Sequence, residues 1–515
     1  MPPCPRRPAR TAAWRHTAAA LGAWLLLGGH PTAAQATDNA LPAAVRDALQ
    51  RAQVPPDALA AVVLPLPRSG PRWQFQADRA MPPASTMKLV TSIVALDRLG
   101  PNHRGFTELL TRAPQQGDVL AGDLVLRGGA DPELGLPQLW ALLAELRHGQ
   151  GIREIAGDIV LDRHLFRPAR GDLGAAPFDA WPEFPYNVIP DALQVSGGLM
   201  AVEISAADPD QPDRVSARAL PPVPGLDIDA SALHPSDRAC RDWEADWVSP
   251  PLLATPAPEQ WRITLQGSFP RGCSQRVQLQ LVDRGLLLER QLRWLWESLG
   301  GQWRGQVREA TAPLIAPVGR AAVEAQALDP PAGAPPAMLV APGVAWAGSS
   351  ATTPAGVRLL ARRLARPWGE VLRTMNKRSD NPSTRLLYLS LGLAGMADEP
   401  EASTAELAQR EVRRWLAEHQ INPDGLVLDN GSGLSRSERL TPRQLALVLR
   451  AARHSRWAPE LLTSLPVAGV DGTLRQRLQT SPAAGWARLK TGTLKDSTAL
   501  AGYVPDPQGR LWAVA

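Results

Sequence analysis

The chain has 515 residues, 44% of them hydrophobic and 20% charged, the composition of a globular protein too long for one core, so two or three domains are expected. The net charge of +5 would fit a nucleic-acid binder, but Arg6, Arg7, Arg10 and Arg15 all precede an apolar run over 17–29 and the small-x-small Ala34-Gln35-Ala36. This order describes a secretory signal peptide over 1–36; its cleavage takes away four positive charges and no negative one, which leaves +1 and removes the case for nucleic acid.

The apolar run is too short to span a bilayer and no later stretch is long enough, so no stable membrane span is expected after cleavage. Together with an arginine-rich composition, this reads as a bacterial exported protein with the periplasm as its address. Cys240 and Cys273 remain after the signal; in an oxidising compartment they are expected to pair, the alternative being two separate buried thiols. Neither has His or Cys neighbours at zinc-ligand spacing, so no metal is expected.

In chain order, 59–66 and 73–77 read as two strands joined by a Pro/Gly turn. Pro82-Pro83-Ala84-Ser85 then opens a helix that runs to Leu99 and stops at Gly100-Pro101; it is apolar on every side, which predicts a buried central helix. From 117 onward a strand around Leu124–Leu126, a helix through Leu139–Leu146 and a strand over 157–161 follow, and a comparable strand–helix–strand pattern recurs over 277–307, raising the question of a divergent repeat. Between them, 166–250 is rich in Pro, Asp and Gly. A Pro/Ala/Gly linker spans 329–344. Helical patterning is read over 355–364 and on towards Met375, then over 404–419 and 441–454, the last opened by Thr441-Pro442 as N-cap and first-turn proline. Strands are expected at 487–489, 499–504 and 511–515, and because the chain stops within the last of these, the fold reads as C-terminally incomplete.

Three short motifs punctuate these elements: Ser85-Thr86-Met87-Lys88 at a helix start, Ser379-Asp380-Asn381 between helices, and Lys490-Thr491-Gly492 on a strand. Of 55 basic residues, only Lys88, Lys377, Lys490 and Lys495 are lysines and 51 are arginines. Arginine keeps its proton in proteins whereas a desolvated lysine can act as a base, so a lysine in this chain stands where arginine would not do. A serine hydroxyl needs a neighbour to take its proton, and no histidine sits in a suitable context. Lys88, one helical turn after Ser85, can serve if burial and a second cation, such as Lys490, favour its neutral form.

The three motifs in this order resemble those of β-lactamases and penicillin-binding proteins. Ser85 and Ser379 are 294 residues apart, Ser379 and Lys490 only 111, and that long gap makes the chain similar to the class C low-molecular-mass penicillin-binding proteins, the D-alanyl-D-alanine carboxypeptidase/endopeptidase family. Further matches are Gly128-Gly129-Ala130-Asp131-Pro132, the Asp429–Arg436 loop and Asp471-Gly472-Thr473-Leu474. The resemblance implies an α/β fold of the α+β type, the penicillin-binding transpeptidase fold, built from 37–103 and 345–515 with 104–328 inserted. It implies Ser85 as nucleophile, Lys88 as base, Ser379 as proton relay, and Asn381, Lys490, Thr491, Gly492 and Thr493 as substrate-binding residues. The backbone N–H groups of Ser85 and Thr493 would form an oxyanion hole, a contribution of about 3 kcal/mol per donor. The 429–436 loop lies near the site in this family, but a tight connection explains its glycines equally well. Asp380 reads as structural, and Lys377 and Lys495 as possible rim charges. The implied partners are peptidoglycan stem peptides and, as covalent inhibitors, β-lactams; no cofactor is implied. A serine β-lactamase and a non-catalytic peptidoglycan-binding scaffold are the alternatives.

Overall fold

The structure, a computed structural model, describes residues 40–66, 73–208, 210–211, 213–255, 260–315 and 356–515. The signal peptide expected over 1–36 and the linker expected over 329–344 lie outside the described residues. The chain divides into two compact units, the first made of 1–102, 368–380 and 408–515, the second of 103–367 and 381–407.

The first unit is built on a five-stranded antiparallel sheet in the order 488–494, 497–505, 511–514, 61–65, 73–75. The strand Leu511–Val514 is an interior strand, with Val514 opposite Val63 on one side and Gly502 on the other. The helix Met87–Leu99 is buried at eleven of its thirteen positions, as its all-round apolar sequence predicts. The helix Pro442–His454 starts with a capping box in which Thr441 Oγ1 accepts from Gln444 N (3.0 Å) and Gln444 Oε1 accepts from Thr441 N (2.9 Å). It is tied to the sheet by Tyr503, whose hydroxyl donates to Leu449 O (2.6 Å).

The second unit contains a mixed five-stranded sheet in the order 307–309, 159–162, 124–129, 106–111, 358–364, with smaller sheets of four, three and two strands. It holds two hydrophobic cores. One is leucine-rich, around Leu126, Leu142, Leu292 and Trp296; the other is aromatic, around Trp243, Trp247, Trp261 and Phe269. Cys240 and Cys273 form a disulfide beside the aromatic core.

One element differs from the sequence reading, and one open question is answered. Residues 358–364 are a strand and not a helix: they pair antiparallel with Phe106–Thr111, and Arg362 donates to Glu108 Oε1 (2.7 Å) across the pair. The apolar spacing there fits a helix, but pairing with a distant strand overrides it; the helix begins only at Trp368. The recurring strand–helix–strand pattern is one of element order alone, since Leu124–Gly129 lies in the five-stranded sheet and Ser274–Leu279 in the three-stranded one.

Candidate active site

Ser85 sits in a single 3₁₀ turn, Ala84–Thr86, and the α-helix begins only after it, at Met87. Ala84 is held at φ +46°, a left-handed conformation costly for a residue with a Cβ and typical of over-determined functional sites. Two glycines make the close approach possible. A Cβ on Gly433 would lie 1.8 Å from Ala84 O, and one on Gly492 would lie 2.9 Å from Ser85 N, so a loop and a strand both press on the backbone that carries the nucleophile candidate. Lys88 is fully buried, and its Nζ donates to Ser85 Oγ at 3.1 Å and to Ser432 O at 2.5 Å. The i, i+3 spacing therefore delivers what it predicts, an amine beside a hydroxyl.

The helix Trp368–Arg378 ends with Ser379 at φ +60° and Asp380 N donating to Met375 O (2.9 Å). This is the Schellman arrangement that usually employs glycine; here serine occupies the left-handed position and carries a hydroxyl into it. Ser379 Oγ accepts from Lys490 Nζ at 2.8 Å, and Lys490 also donates to Thr491 O at 2.8 Å. Lys490 is fully buried, and burial lowers its pKa to about 7, so the ammonium and the amine are both accessible near neutrality. The first unit thus contains two serine–lysine pairs.

Lys490, Thr491, Gly492 and Thr493 lie within the strand Arg488–Leu494, not at its end; Thr491 is buried and Thr493 exposed. Thr491 Oγ1 is hydrogen-bonded to Thr473 Oγ1 (2.7 Å), and Lys377 Nζ donates to Asp471 Oδ2 (2.5 Å) and Leu465 O (3.0 Å). The Asp471–Leu474 turn therefore anchors both the end of the Ser379 helix and the Lys490 strand. Lys495 is exposed in the two-residue turn that follows this strand. Asn381 opens the helix Asn381–Leu391 in the second unit, where it is buried and its Nδ2 donates to Tyr186 O (3.0 Å). One turn on, Arg385 donates to Val188 O (3.0 Å), so this helix start is moulded on the 185–188 segment. No group of His, Cys, Asp and Glu among the described residues could hold a metal.

Ser432, Thr473 and Asp471 lie in the two segments 429–436 and 471–474 that match the family in sequence, but the sequence alone gives none of them a role in the site. Beyond that resemblance, their local sequence is a dense run of Gly, Ser, Asp and Asn, which any turn would share.

The fold is that of a penicillin-binding protein: the crystal structure of penicillin binding protein 4 (dacB) from Haemophilus influenzae superposes with a TM-score of 0.67 at 21% identity, covering 88% of each chain. The same protein complexed with a β-lactam gives 0.66 over 91% of each chain. Among curated proteins, the D-alanyl-D-alanine carboxypeptidase of Actinomadura sp. (strain R39) is 29% identical over 83% of this chain and 72% of its own. The D-alanyl-D-alanine carboxypeptidase DacB of H. influenzae is 26% identical over 84% and 80%. The model of the D-Ala-D-Ala carboxypeptidase 3 (S13) family matches residues 41–328 and 337–515, and the chain belongs to that family of serine-type carboxypeptidases.

Proposed function

We propose that this protein is an exported, periplasmic enzyme that removes the terminal D-alanine from peptidoglycan stem peptides and also cleaves D,D cross-links, through an acyl-enzyme on Ser85. The observation that carries the reading is the buried amine of Lys88 at 3.1 Å from Ser85 Oγ. Ser85 Oγ attacks the carbonyl carbon of the penultimate D-Ala while its proton passes to Lys88, and the developing oxyanion is met by the N–H groups of Ser85 and Thr493. As the peptide C–N bond breaks, the leaving amine takes a proton through Ser379, whose hydroxyl is hydrogen-bonded to Lys490. Lys490 and Thr491 bind the substrate's terminal carboxylate and Asn381 its backbone amide. Water then attacks the ester, releases the shortened stem peptide and restores Ser85.

In a cross-link, the leaving amine is the side chain of a neighbouring stem peptide, and the same bond is broken. A penicillin offers its strained amide in place of the D-Ala–D-Ala bond; ring opening leaves the amine tethered in the site and Ser85 acylated. The β-lactam complex of the H. influenzae protein supports this extension.

The test is incubation of the folded protein with labelled penicillin, followed by mass analysis of the peptide containing Ser85. One adduct on that peptide is expected, and none would count decisively against Ser85. Release of D-alanine from a pentapeptide and cleavage of a cross-linked dimer report the two activities separately. Rapid turnover of a chromogenic cephalosporin would instead indicate a β-lactamase.

A further inference from the structure

Glu438 is fully buried, yet it is neither a member of the three motifs nor paired with a cation. Its Oε1 accepts the backbone N–H groups of Asp429 (3.3 Å), Asn430 (3.1 Å) and Gly431 (2.8 Å), while Oε2 has no hydrogen-bond partner among the described residues. Burial pushes its pKa up while the three N–H groups pull it down. A buried carboxyl with one orphaned oxygen is expensive, and such a cost is retained only where the group does something an apolar residue could not.

What it does is visible in the loop it supports. Asn430 Oδ1 accepts from Ser432 N (3.0 Å), and Asn430 Nδ2 donates to Leu434 O (2.9 Å), which closes the loop on itself. Two carbonyls are left turned to the Met87–Leu99 helix: Gly431 O accepts from Thr91 Oγ1 (2.7 Å), and Ser432 O accepts from Lys88 Nζ (2.5 Å). Gly433, at φ +82°, brings the same loop against Ala84 O. A neutral lysine amine has one lone pair and two N–H bonds. Holding one N–H on a fixed carbonyl restricts rotation about the Cε–Nζ bond and leaves the lone pair that must take the proton of Ser85 two staggered positions instead of three. Misplacing a reacting group by about 1 Å can cost roughly 100-fold in rate.

We propose that Glu438 is a positioning residue for acylation, whose Oε1 holds the 429–431 backbone so that the Ser432 carbonyl aims Lys88 Nζ at Ser85. This rests on the reading of Ser85 and Lys88 as nucleophile and base. It is the reach of the acceptor, and not the charge, that matters.

The experiment compares full-length wild type, Glu438→Gln and Glu438→Asp in rapid-quench acylation by labelled penicillin over a range of concentrations, with the final adduct count per chain. Gln keeps an acceptor at the same reach and loses the charge; Asp keeps the charge and is shorter by one C–C bond, about 1.5 Å. Glu438→Gln is expected to stay within about threefold of wild type. Glu438→Asp should lose about tenfold or more in the maximal acylation rate, with the half-saturating penicillin concentration unchanged and one adduct per chain at completion. A wild-type rate for Glu438→Asp, or a Glu438→Gln rate as slow as that of Asp, overturns the proposal. So does a normal rate with fewer adducts per chain, which would mean a folding defect alone. Should Glu438→Asp not fold, the Glu438→Gln rate decides by itself. If wild type forms no adduct, the assigned function falls first, and that outcome cannot be confused with the others.

Discussion

In the first unit, Lys88 and Lys490 are buried against serine hydroxyls and backbone carbonyls, and Glu438 against backbone N–H groups. In the second unit, one group of buried charges meet one another. Arg163 and Arg284 each donate to one oxygen of the fully buried Asp191 at 2.7 Å, and Arg170 bridges Asp172 and Asp283, the N-cap of the helix Arg284–Ser298. A guanidinium matched to a carboxylate stays charged; it fixes geometry and does no proton chemistry. An amine buried against neutral partners is held close to losing its proton, which suits a base and suits little else. The choice of lysine or arginine at a buried position therefore separates the two serine–lysine pairs of the first unit from the ion-paired network around Asp191 in the second.

The largest effect that could break this contrast is Lys88→Arg. It keeps the charge and removes the base, and acylation by labelled penicillin should fall by roughly 1,000-fold or more while the thermal unfolding midpoint stays near that of wild type. Acylation at the normal rate would take Lys88 out of the base role.

Asp191→Asn should do the reverse. It leaves two buried guanidinium groups facing an amide, at a cost of about 3–5 kcal/mol, read as a shift of the chemical unfolding midpoint. A change under about 1 kcal/mol would mean that the network is not structural.

Lys490 sharpens the comparison through pH. Its folded-state pKa of about 7 lies below the ordinary lysine value of about 10.4, so between these values the unfolded chain holds a proton that the folded chain has released. Stability from this residue is therefore present at high pH and is lost as pH falls towards 7, with a slope of up to about 1.4 kcal/mol per pH unit. Unfolding midpoints measured from pH 7 to about 9.5 should rise in wild type relative to Lys490→Met, which removes the titrating group; parallel curves would show that Lys490 stays charged.

The smallest effect is expected for Thr473→Val, which removes the partner of Thr491 Oγ1. One neutral hydrogen bond is about 1 kcal/mol of stability, so the unfolding midpoint should fall by the equivalent of that amount, and D-alanine release should drop by roughly fivefold at most.

What was legible in the sequence was what short-range geometry decides. The Ser85–Lys88 contact follows from helical spacing, the start of the 442–454 helix from Thr441 and Gln444, and the burial of the 87–99 helix from its lack of a polar face. The strand at 358–364 was illegible because its partner, 106–111, lies some 250 residues earlier and no local rule distinguishes GVRLLARRL as helix or strand. The support behind the site was hidden for a related reason. Glu438 and Thr473 act through backbone groups and a single hydroxyl, and their neighbours in sequence look like any polar turn. Ser379 in the left-handed region was also beyond reach, since serine there goes against its own backbone preference.

The scarcity of lysine has a practical side as well. Of four lysines, two are fully enclosed and Lys377 is engaged with Asp471, so Lys495 is the one side-chain amine that stands free in solvent at a hairpin tip. It lies five residues along the chain from Lys490, about 16 Å at strand spacing. Amine-selective dyes, cross-linkers or activated resins would therefore attach here before any other side chain. A fluorophore so placed would stand five residues along the chain from Lys490, and a support coupled through this side chain would hold the first unit by that hairpin.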